Sequence, residues 1–473
     1  MESLLKKYRY KDDLYSDEQL EAMTNASYIE FQKSLCSHNY EGYTTSRLLN
    51  RARIICSNIL GTFNPEEVYE NVRFGRRSSV GCPLRQAYLD NKLTVDAHFT
   101  SSTSGGAWFN TTYLPTDHLL ARVVERSIKA KSKDDPTMHH NYLTLTNVPK
   151  SWKIHRSITP LTLVDLFYSY GVGKVVQGRL KSAGLDIRRL QIRHQRLACH
   201  YSVTLKGATA DLSRASDCIT KTLLMRILPR PWYNGVRNTL THQIMIGGVM
   251  HYTDSVLPMG NGFTFPLETL MFYCLIKAIG EFTNTYGTFS VYGDDLIYPT
   301  RMHKYVAWLL PKLHINLNRE KTYALFPFRE SCGGDYYRGI DVRPCIVTGS
   351  HRLLPAPQYA AFLYTLYNGI QRRWHPWCVS NTLSNLEQEI ARIQGTIFRV
   401  PLSYPDTSGI QCSEFPDRRD PRFERIETGF ANGSNFIRFA WLSTMPKYRR
   451  VKCIEAYFWD TIRSKGGDDS DYG

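Results

Sequence analysis

Thr288-Phe289-Ser290-Val291-Tyr292-Gly293-Asp294-Asp295-Leu296-Ile297-Tyr298 decides how the rest of this chain is read. Two short apolar runs flank Tyr-Gly-Asp-Asp, and each suits a strand. The Gly-Asp pair between them suits a tight hairpin turn. Two adjacent carboxylates on such a turn repel each other unless a cation sits between them. Held on a rigid hairpin, they make a good oxygen-ligand site for magnesium. A bare Gly-Asp-Asp is more often a solvated turn, so the weight of this one comes from the residues that accompany it.

The first companion is Ala208-Thr209-Ala210-Asp211-Leu212-Ser213-Arg214-Ala215-Ser216-Asp217. Ile219, Leu223, Leu224 and Ile227 follow at helix spacing, and Pro229 ends the run. Val203 to Ala210 reads as a strand that delivers Asp211 to its end, with Asp217 near the start of the next helix. Taken alone, Asp217 reads as an N-terminal cap and Asp211 as a turn residue. Nucleotidyl transfer through two metal ions asks for more. It needs carboxylates from separate strands converging on ions roughly 3.5–4 Å apart. Asp211 from one strand, with Asp294 and Asp295 from a hairpin, meets that need. One ion would activate the attacking hydroxyl, and the other would hold the triphosphate and stabilise the leaving pyrophosphate.

The second companion is Met259-Gly260-Asn261-Gly262-Phe263-Thr264-Phe265-Pro266, which opens a helix. Its two glycines allow a loop to approach a ligand closely, and Pro266 fits a first helical turn. Leu267, Leu270, Met271, Cys274 and Ala278 then form an apolar stripe that reads as core. The loop before the stripe, with Gly260, Asn261 and Thr264, is the candidate contact surface for a nucleotide or template base.

In this order, the three elements resemble the palm of a viral RNA-dependent RNA polymerase. The wording of Asp211–Asp217, Met259–Phe265 and Val291–Asp295 is similar to the replicase subunit of the single-stranded RNA bacteriophages, the leviviruses. Phe328-Arg329-Glu330-Ser331-Cys332-Gly333, followed by Tyr337-Arg338-Gly339-Ile340-Asp341-Val342, resembles a segment just after the palm strands in that family. Val148-Pro149-Lys150-Ser151-Trp152-Lys153-Ile154-His155-Arg156 resembles its basic fingers motif. The specific motifs cover roughly residues 140 to 345. Phe74 to Gly81 is a candidate template-entry motif.

The resemblance implies an α+β right-hand polymerase with fingers, palm and thumb, the palm built on an antiparallel sheet with flanking helices. It implies that Asp211, Asp294 and Asp295 hold two Mg2+ ions, with Mn2+ as a substitute, Asp294 being the main ligand and Asp295 the weaker. It implies that Asp217 senses the ribose of the incoming nucleotide, since a deoxynucleotide lacks the hydroxyl that a carboxylate there accepts from. Lys150, Lys153 and Arg156 would grip the triphosphate, Arg by a bidentate fork and Lys as a point charge. Lys321, in Asn318-Arg319-Glu320-Lys321-Thr322, is a candidate general acid for the departing pyrophosphate, or equally an exposed lysine. In related polymerases a Ser-Gly-x3-Thr-x3-Asn motif supplies a partner amide. Here Gly260 and Thr264 match it, while Met259 and Glu268 stand where Ser and Asn are usual.

The expected partners are a single-stranded RNA template, product RNA and ribonucleoside triphosphates. The resemblance adds host elongation factors Tu and Ts and a ribosomal protein, in the cytoplasm of an infected bacterium. Composition agrees with a polyanion partner. The chain has 473 residues, 59 Lys and Arg against 43 Asp and Glu, and a net charge of +16. Its 30 tyrosines include candidates for stacking on unpaired bases, though most should be core. The 11 cysteines show no Cys-x2-Cys pair and the histidines no zinc-ligand spacing, so neither a zinc site nor a disulfide framework is expected. No signal peptide and no membrane-spanning run are read from the sequence.

Residues 1–204 are assigned to an N-terminal region and fingers, 205–345 to the palm with a fingers insert near 228–255, and 346–473 to a thumb and an acidic tail. Lys174, Arg179, Lys181, Arg188, Arg189, Arg193 and Arg196 are either a solvated face or a wall for template and nucleotide. Arg372-Arg373-Trp374-His375 and Lys447 to Lys452 are either duplex contacts or surface. Two other readings stay open. A reverse transcriptase shares a Tyr-x-Asp-Asp hairpin, but a bulky residue is usual there at the place of Asp217. A catalytically silent RNA-binding protein would keep the fold without a reason to keep all three carboxylates.

Overall fold

The computed structural model describes residues 15–36, 40, 42–75, parts of 78–92, 142–150, 155–240, 243–257, 259–345, 356–402 and 404–412, most of them continuously. It also describes short strands at 7–8, 99–100, 139–140, 348–349, 424–431 and 434–440. Lys153, Arg76, Arg77, residues 101–106 and 129–135, Lys447 to Lys452 and the acidic tail lie outside the described residues. The chain divides into two compact units, Leu14–Arg343 and a second formed by Met1–Asp13 with Pro344–Gly473.

In the larger unit the elements used below are α1 (Tyr43–Leu60), α2 (Leu163–Ser182), α3 (Ile187–Thr204), β1 (Gly207–Ser213), α4 (Thr264–Phe282), β2 (Ser290–Tyr292), β3 (Asp295–Pro299), β4 (Asn316–Leu317), β5 (Phe328–Ser331) and β6 (Gly334–Tyr337). Four strands form an antiparallel sheet in the order β2-β3-β1-β4. β2 and β3 are the hairpin expected from the sequence, with Gly293 and Asp294 at its turn. α4 is the helix expected after the glycine loop. Its Leu267, Leu270, Met271, Cys274 and Ala278 are all fully buried in one core with α1, α2 and the sheet.

One strand differs from its expectation. Val203 belongs to the last turn of α3, not to a strand. Leu205 closes that helix in the left-handed region at φ 60°, and β1 begins at Gly207. Asp211 therefore lies inside β1 and not at its end. Asp217 is likewise not a helix cap. The helix after it runs Lys221–Ile227, and Thr220 caps it by accepting from the Leu223 N–H.

Residues 228–255 leave this layer through a short helix, Arg230–Val236, and return as the hairpin Gln243–Ile246/Val249–Tyr252. That hairpin adds to the strand Leu143–Thr144 in parallel. A second hairpin, Thr146–Pro149 with His155–Ile158, carries the basic motif. Among the basic residues of α2 and α3, Arg179 is tied to Glu67 at 2.6 Å, and Arg193 donates to the Gly184 carbonyl. These two are partly used in holding the fold.

In the smaller unit the helices Ala356–Arg373 and Pro376–Gln394 pack around Leu363, Tyr364, Tyr367, Leu383 and Ile390. Arg372 makes a two-armed pair with Asp406, at 3.0 and 2.5 Å. Trp374 and Trp377 are exposed.

Arg329 of β5 is completely buried, and its bonds in the structure are to backbone oxygens. Nε donates to the Gly207 carbonyl at 2.7 Å, Nη2 to Ala324 at 3.0 Å, and Nη1 to Phe328 at 2.7 Å and also to Phe326. It thus fastens β5 to the start of β1. Burial lowers its pKa, and the carbonyl cluster compensates for the lost water. Replacing Arg329 with Ala would leave these acceptors unpaired beside a cavity. The expected cost is about 3–5 kcal/mol in urea unfolding, and a loss under about 1 kcal/mol would refute this role.

Candidate active site

The β1–β3 register places Asp295 directly opposite Asp211. Directly opposed residues project from the same face of an antiparallel pair. The Leu212 N–H donates to the Asp294 carbonyl at 3.1 Å, so the turn tip lies against the same stretch of β1. The three aspartates therefore lie on adjoining backbone at one end of the central strand pair. Gly293 shapes the turn at φ 56°, a region that disfavours side chains. Its N–H donates to Thr269 Oγ1 of α4 at 2.9 Å, and a Cβ there would collide with the Phe265 ring.

Each carboxylate has distinct partners. Asp211 accepts from Asn318 Nδ2 at 3.0 Å and faces Lys321 Nζ at 3.4 Å. Asp295 accepts on both oxygens, from the Ser331 hydroxyl at 3.3 Å and the Cys332 N–H at 3.2 Å. Asp294 keeps one side open to solvent. The protein packed around its other side, and then the charge of Asp211, raise its pKa, while Lys321 and Lys150 pull it down. For Asp295, burial and then Asp294 push the pKa up to about 7, against the bond from Cys332. Asp217 is half-buried. Its pKa rises to about 6 through burial, with Arg214 and Ser216 opposing.

Lys321 carries its proton firmly. Burial works to lower its pKa, but Asp211 and Glu330, the latter 4.0 Å away, outweigh it and the net shift is upward. Lys150 is exposed, yet it lies within electrostatic reach of the same group. Desolvation, Arg156 and Lys321 lower its pKa, and Asp294 and Asp211 act the other way. Lys150 thus lies near the carboxylates with Arg156 as its neighbour, and Lys153 lies outside the described residues.

The glycine loop is used for packing. Gly260 has φ 126°, and a Cβ there would meet the Thr159 carbonyl at 2.5 Å. The Gly262 N–H donates to Ser169 of α2 at 3.0 Å. Asn261 is buried, and its Oδ1 accepts from the Phe263 N–H at 3.1 Å. Thr264 is buried in the first turn of α4. These residues fix where α4 starts.

Glu268, one turn into α4, is a neighbour that the sequence did not assign to the site. It is buried, and burial, then Asp294 and Asp217, drive its pKa well above the carboxylate range. Burial and the two aspartates thus both favour its protonated form. Asn318 was also missed, although it lies three residues from Lys321 and accompanies it onto Asp211.

Hard carboxylate oxygens that raise one another's pKa are the donor chemistry of a divalent cation. Among the described residues, no three His, Cys, Asp or Glu side chains are drawn together around a common point as they stand. Asp211 and Asp294 are the pair with the freedom to hold an ion, because both Asp295 oxygens are engaged by the backbone and hydroxyl of 331–332. A proton on Asp295 in the folded chain but not in the unfolded one stabilises the fold between its ordinary range, near pH 4, and about 7. The melting temperature of metal-free protein should therefore fall as pH rises through that window. Millimolar Mg2+ should recover part of the loss near neutral pH, and no recovery would argue against a cation site.

The described helices include none long and apolar enough to cross a membrane. Residues 16–376 match the family model described as RNA replicase, beta-chain. The RNA-directed RNA polymerase beta chain of Escherichia phage MS2 is 38% identical over 197 residues, 42% of this chain and 36% of that protein. The beta chain from Enterobacteria phage GA is 28% identical over 348 residues, 72% and 64% of the two chains. The beta subunit from Escherichia virus Qbeta is 34% identical over 234 residues, 48% and 39%. The chain thus matches between about a third and two thirds of the length of these relatives. With the family model covering well over half of its residues, the chain belongs to the RNA replicase beta-chain family.

Proposed function

We propose that this chain is an RNA-directed RNA polymerase that copies the positive-strand genome of an RNA phage by nucleotidyl transfer from ribonucleoside triphosphates. The observation that carries this reading is the register that sets Asp295 opposite Asp211 with Asp294 at the adjoining turn. The match to replicase beta-chains supports it independently.

Asp211 and Asp294 would hold Mg2+, or Mn2+ in its place, with Asp295 adding charge behind them. Bound there, the ions would lower the pKa of the RNA 3′ hydroxyl and neutralise the triphosphate. The protein's own residues do the rest. Lys321, fixed on Asp211 with its proton retained, would offer that proton toward the departing pyrophosphate. Lys150 and Arg156, with Lys153, would orient the phosphates by charge and by the guanidinium fork. Asp217 would accept from the ribose hydroxyl, and Glu268, when protonated, would offer a donor in place of the usual amide. Gly260, Asn261 and Thr264 would set the height of α4 under the nucleotide.

In this reading the β1–β4 sheet with α4 is the palm, the two outer hairpins and the 228–255 excursion belong to the fingers, and residues 346–473 are the thumb and tail. The same reading brings single-stranded RNA as template and product, and host elongation factors Tu and Ts with a ribosomal protein as partners in the bacterial cytoplasm.

The test is label incorporation by the purified chain on single-stranded RNA with Mg2+ and four ribonucleotides, with and without a bacterial translation-factor fraction. Asp294→Asn should lose about three orders of magnitude in rate, about 4 kcal/mol of transition-state stabilisation, with a melting temperature no lower than that of the wild type. Normal turnover by that variant would overturn the assignment. Asp217→Ala should narrow the preference for ribo- over deoxynucleotides by about tenfold or more, and an unchanged ratio would remove Asp217 from sugar selection.

A further inference from the structure

His194 of α3 is fully buried behind the hairpin. Its Nδ1 lies 3.0 Å from Ser331 Oγ on β5, and its Nε2 lies 2.9 Å from Ser290 Oγ on β2. Ser331 Oγ reaches Asp295 Oδ1 at 3.3 Å. The His194 ring also faces the Tyr292 ring, 6.2 Å between centroids. One imidazole therefore touches the hairpin's first strand at two residues and reaches the first residue of its second strand through one hydroxyl.

The proton positions in this chain follow from donor and acceptor inventory. When Asp295 is ionised it only accepts, so the single Ser331 proton then goes to Asp295. Ser331 must then receive from His194, which puts the ring proton on Nδ1. A neutral ring with Nδ1 protonated offers Nε2 as an acceptor, and Ser290 donates to it. With the ring neutral and Asp295 ionised, this closed arrangement has one solution. Burial, and then Arg193, push the His194 pKa down to about 3, so the ring stays neutral at working pH.

We propose that His194 is a positioning residue that acts through Ser331 to hold the Asp295 carboxylate in place behind Asp211 and Asp294. The proposal rests on the polymerase reading for what that carboxylate does. The alternative is a plain brace between α3 and the two strands, with no consequence for the carboxylates beyond folding.

The two arms of the ring can be separated. His194→Asn places an amide nitrogen near the Nδ1 position and can keep the arm to Ser331. His194→Gln reaches the Nε2 position and can keep the arm to Ser290. Ser331→Ala cuts the link beyond the ring. The measurements on the full chain are thermal melting, Mn2+ affinity from the free-ion paramagnetic signal, and the Mg2+ dependence of RNA synthesis.

The expected result is Mn2+ affinity within about threefold of wild type for His194→Asn, and about a tenfold loss for His194→Gln and for Ser331→Ala. The Gln and Ala changes combined should cost no more than either alone. Equal losses from Asn and Gln, or losses that multiply in the double variant, would make His194 a brace and overturn the proposal. If the His194 variants do not fold, Ser331→Ala decides, and unchanged Mn2+ affinity in it overturns the proposal. Mn2+ binding that follows the expected pattern in a chain that makes no RNA would support the positioning and overturn the polymerase reading instead.

Discussion

The antiparallel pairing of β3 with β1 is the constraint on which the rest depends. Strand side chains alternate between faces, so a slip of one residue would turn Asp295 and Asp211 to opposite sides of the sheet. The register is held from several directions. Buried Leu296 and Ala210 pair beside the aspartates. Arg329 fastens the start of β1, and Tyr323 pairs with Thr209 in its middle. Asn318 accompanies Asp211 through both its backbone and its side chain. The carboxylates repel one another, and this much apolar and hydrogen-bonded structure is what keeps them together.

Around that pairing the site is graded by solvent access. Asp294 is open, Asp211 and Asp295 are largely enclosed, and Glu268 is buried. The pKa directions follow the same order of causes, since burial leads for Asp294, Asp295 and Glu268, and neighbouring carboxylates come second. Lys321 and Lys150 supply positive charge at the rim. A site of this kind is poised to trade protons for cations, and its charge balance changes when a polyphosphate arrives.

Much of this was legible in the sequence, for local reasons. The Gly-Asp turn between two β-rich runs needs no tertiary information, and neither does the apolar stripe of α4 after Pro266. The start of β1 was misread because Val203 and Thr204 are β-branched and look like strand residues. The amphipathic run from Ile187 carries the helix through them to Leu205. The cap reading open to Asp217 taken alone does not hold, because Thr220 three residues later has the same chemistry and the better position. The loop glycines also serve the close approach of Thr159 and Ser169, which the sequence did not announce. Contacts such as His194 with Ser290 and Ser331 join residues 96 and 137 positions apart, and no local pattern announces them. Glu268 was noticed only as a departure from a motif, and its burial beside Asp217 and Asp294 gives that departure a physical meaning.

The most direct test of the account is the position of a cation relative to the sheet. Crystals of the chain with a primed RNA template, a non-reactive ribonucleotide analogue and Mn2+ would give that position from anomalous scattering. Mn2+ should be bound by carboxylate oxygens of Asp211 and Asp294, with Asp295 still held by Ser331 and Cys332. Mn2+ bound only by the analogue's phosphates, away from both aspartates, would contradict it.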